Sequence, residues 1–391
     1  MLRPDLLLLC FGYVLSQFFR AFLAVLSPVL SEDLGTTPED LAFASGIWFL
    51  VFAAMQIPVG EALDRIGPRR TAAALLLIGG GGGALLFAFA QSPTHVTLAM
   101  ALIGVGCSPV LMASYYIFAR SFPAAQFATL AALMLGVGTT GNLIASYPMA
   151  LAAETIGWRG SLVGLAILSS LTAIGLGIII RDPPKVDHAQ KGSVLDLLRM
   201  PALWLIFPMM LVNYFPAAGI RGAWIGPYLQ DVFEMDTTGI GKASLVMGIA
   251  MIVGTLIYGP MDRVFGTRKW VVFIGNTAGA TACVLLAMFG QSSAALSIAL
   301  MAAIGFFCAS FPLILAHGRS FFPEHLMGRG VTLMNLFGIG GVGLMQVTSG
   351  PVFASLADTG RADAYSTLFL AFGLIVFVAL ALYFFSREQK N

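Results

Sequence analysis

Two arginines, Arg20 and Arg221, lie inside long apolar runs of the chain. An arginine at the centre of a membrane helix costs about 2.5–3.5 kcal/mol even on a lenient insertion scale. Such a residue normally faces a wet cavity or a partner. At helical spacing Gln17, Arg20 and Ser27 share one face, and Tyr214, Arg221, Trp224 and Tyr228 share another. A guanidinium presents paired donors in one plane, which suits carboxylate or phosphate oxygens. The chemistry expected here is reversible binding of an anion. The competing reading gives each arginine a structural bond to helix carbonyls or a tyrosine. Tyr115, Tyr116, Asn142, Ser146 and Gln346 are further polar candidates within apolar runs, and each could equally make an interhelical hydrogen bond. All nineteen acidic residues fall in loops or at the ends of apolar runs, with Asp5, Glu61 and Asp64 nearest to the interior. A buried carboxylate to carry a proton is therefore not expected. His95, His188 and His325 fall in loops and His317 at the end of a run. No Ser/His/Asp, Cys/His or paired-carboxylate set lies within a run, so the chain is not read as an enzyme.

The elements that must position these side chains follow from composition. Of 391 residues, 58% are hydrophobic and only 10% charged, and the net charge is +2. The mean hydropathy is +0.89. Soluble chains carry about 25% charged residues, so this chain cannot cover a water-facing surface. A spanning helix needs about 20 apolar residues. Twelve such spans are predicted near 5–30, 41–60, 71–90, 97–119, 128–152, 160–180, 202–230, 242–260, 270–289, 294–316, 330–354 and 365–385. The first is too long for a signal segment and reads as a retained span. The expected class is thus an all-α membrane protein with two six-helix bundles, 1–180 and 202–391, joined by a polar linker over 181–201 that opens Arg181-Asp-Pro-Pro-Lys185. With both termini cytoplasmic, sixteen Lys and Arg fall inside, among them Arg3, Arg120, Lys185, Lys191, Arg329 and Lys390. Only Arg159, Lys242 and Arg361 fall outside, as the positive-inside rule requires. Cys10, Cys107, Cys283 and Cys308 lie in apolar stretches without CxxC spacing, so neither disulfide nor zinc is expected.

The halves repeat. Gly60-Glu-Ala-Leu-Asp64-Arg65-Ile-Gly67-Pro-Arg69-Arg70 follows the second run, and Gly259-Pro-Met-Asp262-Arg263-Val-Phe-Gly266-Thr-Arg268-Lys269 follows the eighth. Ile103-Gly104-Val-Gly-Cys107 is echoed by Ile304-Gly305-Phe-Phe-Cys308, and Arg120-Ser-Phe-Pro123 by Arg319-Ser-Phe-Phe-Pro323. The segment Gly60–Arg70 resembles the signature of the major facilitator superfamily between its second and third helices, Gly-x-x-x-Asp-Arg-x-Gly-x-Arg-Arg. The resemblance implies alternating access, in which two bundles rock about a central site and this loop latches the cytoplasmic side. Asp64 could meet a neighbouring helix N-terminus or an arginine, while Arg65, Arg69 and Arg70 reach carboxylates or lipid phosphates. Asp262 and Arg263 are the counterparts in the second half. Arginine pairs in helices 1 and 7 resemble the superfamily's organophosphate antiporters, which implies an organic or phosphorylated anion as cargo.

Other readings carry less. Gly136-Val-Gly138-Thr-Thr-Gly141 matches GxGxxG but lies within an apolar run, where small residues pack helices rather than cradle phosphate. Met247 and Met251, one turn apart, with Cys107 and Cys308, could take Cu(I), and some superfamily members import copper through methionine pairs. A drug or metabolite exporter is a further alternative, weakened by the missing buried acid. A receptor built on the same fold would need a larger cytoplasmic part than the short tail and linker seen here. No cofactor, metal or nucleic acid is expected. The expected setting is a monomer in a bacterial inner membrane.

Overall fold

In hydrocarbon a backbone N–H finds no water, so a run of apolar residues must satisfy its own carbonyls as a helix. The computed structural model describes residues 4–122, 124–183, 194–323, 326–357 and 360–388, and these form helices with no strand. Arg3, Pro123, Lys185, His188, Lys191, His325 and Lys390 lie outside the described residues, as do most of the linker (184–193) and the side chain of Arg329. The helices are α1 (Pro4–Phe18, continued by Leu23–Leu34), α2 (Pro38–Arg65), α3 (Pro68–Ala88), α4 (Pro93–Ser121), α5 (Ala124–Ile144) and α6 (Tyr147–Ile179). They continue as α7 (Pro201–Phe233), α8 (Thr237–Phe265), α9 (Lys269–Ser292), α10 (Ala294–Arg319), α11 (Met327–Ala357) and α12 (Arg361–Tyr383). Ten helices among the described residues are long and apolar enough to cross a membrane, or eleven if the two arms of α1 make one span. The twelve spans predicted exceed that count by one; α5, helical over Ala124–Ile144, has the apolar piece Leu133–Ile144 among its described side chains. Large apolar side chains such as Ile57, Ile178, Leu256 and Val378 face outward, which suits lipid.

The described chain falls into two compact units, Met1–Asp187 with Asp236–Lys242, and His188–Met235 with Ala243–Asn391. Each is closed by its own small-residue contacts. In the first, a methyl group on Gly104 of α4 would lie 2.7 Å from the Trp48 carbonyl oxygen of α2. In the second, a methyl on Gly305 of α10 would lie 3.1 Å from the Met247 carbonyl oxygen of α8. Gly141 on α5 meets the Val14 carbonyl of α1, and Gly341 on α11 meets the Leu211 carbonyl of α7. The glycine-rich match at 136–141 is thus a helix contact, as small residues in membranes allow.

The repeat is also written in the backbone. The residues with positive φ are Gly35, Gly67, Gly157, Glu234, Gly266 and Gly360 among the described ones. They fall into three pairs about 200 residues apart, each at the end or corner of a helix. Only Glu234 bears a side chain, and it holds φ at 53° where its counterpart is Gly35.

Beyond two of these corners a carboxylate clasps the next helix. Spacing predicts a loop over 60–70, whereas Gln56–Arg65 is helical, the turn is confined to Ile66-Gly67, and Pro68 opens α3. The anion at that helix start is not Asp64 but Asp182, which accepts the Arg69 N–H at 2.8 Å and lies 3.8 Å from the Arg69 guanidinium. In the second unit Glu388 accepts from Thr267 Oγ1 at 2.7 Å and from the N–H groups of Arg268 and Lys269, where α9 begins. Helix N-termini favour such anions. The opposite ends carry a second matched pair. Asp33 accepts from Trp158 Nε1 at 3.0 Å and Arg159 at 3.2 Å, and Asp231 pairs with Arg361 at 3.2 Å and accepts from Tyr365 at 2.8 Å.

Two consequences are measurable. Glu234→Gly should raise stability by roughly 0.5–1 kcal/mol, the left-handed strain relieved less the added freedom of the unfolded chain. Thermal unfolding of the purified protein checks this. For Glu388, burial alone would raise the carboxyl, but the hydrogen bonds from Thr267, Arg268 and Lys269 and the proximity of His317 hold it below its ordinary value of 4.5. Its contribution is complete above that value and is lost as pH falls through the lowered one. Glu388→Gln should therefore be less stable near neutral pH and should lose less of its remaining stability than the parent on acidification. Melting curves collected on either side of the carboxylate range measure both effects.

Candidate functional site

Arg20 does not sit on a continuous helix face. Helix α1 stops at Phe18, turns through residues 19–22 and restarts, with its two arms bent by 50°. Within the turn Arg20 N–H reaches the Gln17 carbonyl at 3.4 Å and Ala21 N–H the Phe18 carbonyl at 3.0 Å, tighter closures than an α-helix makes. The break removes the shared face expected for Arg20 and Ser27. It leaves Arg20 half-buried, with its guanidinium carbon 4.9 Å from the Phe52 ring centre and 5.4 Å from that of Trp48, both on α2. This is cation–π geometry. Arg20 Nε is buried and has no hydrogen-bond partner.

The other candidates of the first unit divide. Gln17 is buried and donates to Tyr13 Oη at 2.8 Å, and Tyr115 packs beside the same core that contains Tyr13. Asn142 is half-buried, and its carbonyl accepts from Ser146 Oγ at 3.0 Å. Tyr116 belongs to a different group. The Arg120 guanidinium lies 4.1 Å from its ring centre, and Arg120 also meets Asp64 at 3.8 Å. Asp64 of the signature thus finds an arginine of its own unit, Arg65 pairs with Glu61 at 2.8 Å, and Gly60 borders open space. Arg70 lies in the first turn of α3. In the second unit Asp262 pairs with Arg268 at 3.1 Å, while Arg263 occupies the last turn of α8.

Helix α7, predicted as one span, is broken at residues 205–206 and 213–214 and widens into a π-turn over Ile220–Trp224. Pro208, Pro216 and Pro227 each remove an N–H from it. Arg221 lies in the π-turn, only 3% exposed. Its Nε donates to the Ser244 carbonyl of α8 at 3.3 Å. Gly248 one turn later makes the room, since a methyl there would lie 3.1 Å from Arg221 Nη2. Gln346 of α11 donates to the Ala218 carbonyl at 3.5 Å, while its buried Oε1 has no partner. Ser349 joins the same seam, accepting from Trp224 Nε1 at 3.1 Å. Tyr214 lies in the break at 213–214, half-buried against Phe311. Trp224 and Tyr228 are fully buried among Phe353, Tyr365 and Phe369, and Tyr228 shares a hydrogen bond with Ser297 at 2.9 Å.

Some polar residues gave little sign in the sequence. Asn213 at the α7 break donates to Asn276 Oδ1 at 2.6 Å and to Ser310 Oγ at 2.9 Å, tying the breaks of α7 and α10 to α9. Single asparagines in apolar runs were the available signal. Met247 and Met251 pack at Gly305, Cys107 is buried, and Cys308 packs at Gly279. All four cysteines are free, and no group of three His, Cys, Asp or Glu suited to a metal occurs among the described residues.

The family model of the Major Facilitator Superfamily matches residues 9–258 and 206–391. A probable L-galactonate transporter of Escherichia coli is 23% identical over 78% of this chain and 72% of its own. A probable sulfoacetate transporter of Cupriavidus necator is 22% identical, covering 68% of each chain. Among solved structures, a D-xylose–proton symporter superposes with a TM-score of 0.80 at 16% identity over 98% of both chains.

The Arg221 contact can be tested by a double-mutant cycle. Gly248→Ala should push the guanidinium off the Ser244 carbonyl and cost roughly 1–2 kcal/mol. In an Arg221→Gln background the same change should cost less, and the difference measures the contact.

Proposed function

Because the chain belongs to the Major Facilitator Superfamily and is a membrane transporter rather than an enzyme, we propose that its cargo is an organic anion held by Arg20. The observation that carries this reading is the buried, unpartnered Nε of Arg20 at the break in α1, over a Trp48–Phe52 platform. A buried charge-bearing donor without an acceptor is costly unless a ligand completes it. No aspartate or glutamate is buried among the described residues, so no acid of the protein's own offsets this cation from the interior. The names of the two bacterial relatives, L-galactonate and sulfoacetate transporters, both refer to anions. Arg221 has the supporting role, since Ser244 already accepts from it. Gln17, Tyr115 and Asn142 would line the same unit's polar interior, and Tyr214 and Gln346 that of the second. The signature residues Asp64, Arg65, Arg69 and Arg70 would act in the cytoplasmic latch, with both termini on that side.

Charge balance also bears on coupling. Without a buried acid among the described residues to carry a proton, movement would be coupled by exchange for another anion or by a proton that travels on the substrate itself.

The test is binding and uptake of L-galactonate and sulfoacetate by the purified protein, in detergent and in liposomes. Arg20→Gln should weaken binding about 10- to 100-fold, as loss of a charge-assisted hydrogen bond implies. Arg20→Lys should fall between, keeping charge but losing the planar fork. Unchanged anion uptake by Arg20→Gln would sink the proposal. Counter-loaded liposomes separate exchange from proton co-entry.

A further inference from the structure

Among the described residues, ten buried side-chain polar atoms have no hydrogen-bond partner. Most are hydroxyl or amide oxygens, which accept, and a hydroxyl can also turn to a new neighbour. Only three are N–H groups that can do nothing but donate: Arg20 Nε, Trp48 Nε1 and Arg69 Nε. Arg69 Nε has the Asp182 carboxylate 3.8 Å away. Arg20 and Trp48 have no such acceptor, and they are neighbours.

Trp48 is held in place from three directions. Its ring stacks on Phe52 at 5.1 Å with 18° between planes and meets Phe49 edge-on at 4.9 Å. Its backbone is fixed by the close approach of Gly104. The side chain is 0% exposed. A buried tryptophan normally gives its N–H to a partner. Phenylalanine would supply the platform for Arg20 without an orphaned donor, as Phe52 does alongside. The indole N–H is therefore the part of Trp48 that packing does not explain.

We propose that Trp48 Nε1–H is a second substrate donor, which hydrogen-bonds an oxygen of the anionic head held by Arg20. This rests on the anion reading of Arg20 given above. A charged donor whose guanidinium carbon lies 5.4 Å from the centre of the ring that bears a neutral donor suits a head with at least two free acceptor oxygens, such as a carboxylate beside a hydroxyl or a sulfonate. They discriminate against a head that presents its own N–H at that point, because two donors would then face each other. Trp48 thus sets specificity where Arg20 sets charge.

The experiment compares the parent, Trp48→Phe and Arg20→Gln as full chains, using L-galactonate and sulfoacetate as binding probes and following tryptophan fluorescence and thermal unfolding. Trp48→Phe keeps an aromatic ring against Phe52 and removes the donor together with part of the buried indole. It should weaken binding about 10-fold or more in the folded protein and abolish part of the fluorescence change on probe addition. Parent affinity in Trp48→Phe, with binding lost in Arg20→Gln, overturns the role of Trp48 alone. Intact binding in Arg20→Gln, or no binding of either probe by the parent, overturns the anion reading and this one with it.

Discussion

Hydrocarbon offers no partner to a free backbone group, and this constraint decides where the protein can be irregular. A long helix satisfies the constraint everywhere, so each interruption has to be closed locally. At residues 19–22 the closure is a set of short-range backbone bonds. At 213–214 a network of Asn213, Asn276 and Ser310 spans the gap. Around Arg221 the helix widens into a π-turn without losing its regular course. The two intramembrane arginines stand at or beside these interruptions, where backbone and side chain stop being interchangeable with those of any other apolar helix. Irregularity and charge coincide because both need the same shelter from lipid.

Much of this was legible in the residues. Composition dictated a helical membrane protein, and the repeated Gly, Asp and Arg spacing marked the two halves. Arg20 and Arg221 stood out because charge in an apolar run is costly wherever it occurs. The break in α1 was not legible, since Phe18-Phe19-Arg20-Ala21-Phe22 contains no proline or glycine to announce one, whereas Pro208 and Pro216 stand just after the breaks of α7. Of the two partners open to Asp64, a helix N-terminus or an arginine, the structure has the arginine, Arg120, and the α3 N-terminus takes another anion. Asp64 is near in sequence, but Asp182, 113 residues from Arg69, is near in space. Tyr115 and Tyr116 look alike in the sequence, yet one turns to the Tyr13 core and the other to Arg120. A helix sends adjacent side chains about 100° apart, and only the neighbours tell which direction is which.

The halves share a frame and diverge in its filling. Corners, carboxylate clasps and glycine contacts recur about 200 residues apart, because they solve the same packing problem twice. The arginines recur at a similar interval with opposite surroundings. Arg221 leans on a carbonyl that the Gly248 gap lets it reach, and Arg20 lies over two rings with Nε unanswered. A symmetric scaffold thereby holds an asymmetric pair of charges. One of them is already spoken for by the protein.

The left-handed corners have a bearing on how such a chain tolerates changes of length. Gly35 and Gly67 are 32 residues apart, and so are Glu234 and Gly266. The next interval is 90 residues in the first half, to Gly157, and 94 in the second, to Gly360. Insertions and deletions have therefore been absorbed between the second corner and the third, while the stretch carrying Trp48 in one half and Met247 in the other has kept its residue count. Each added residue there would rotate the helix by about 100° and advance it about 1.5 Å, turning every inward side chain away from its neighbour. Residue types there differ between the two halves, while the length is the same.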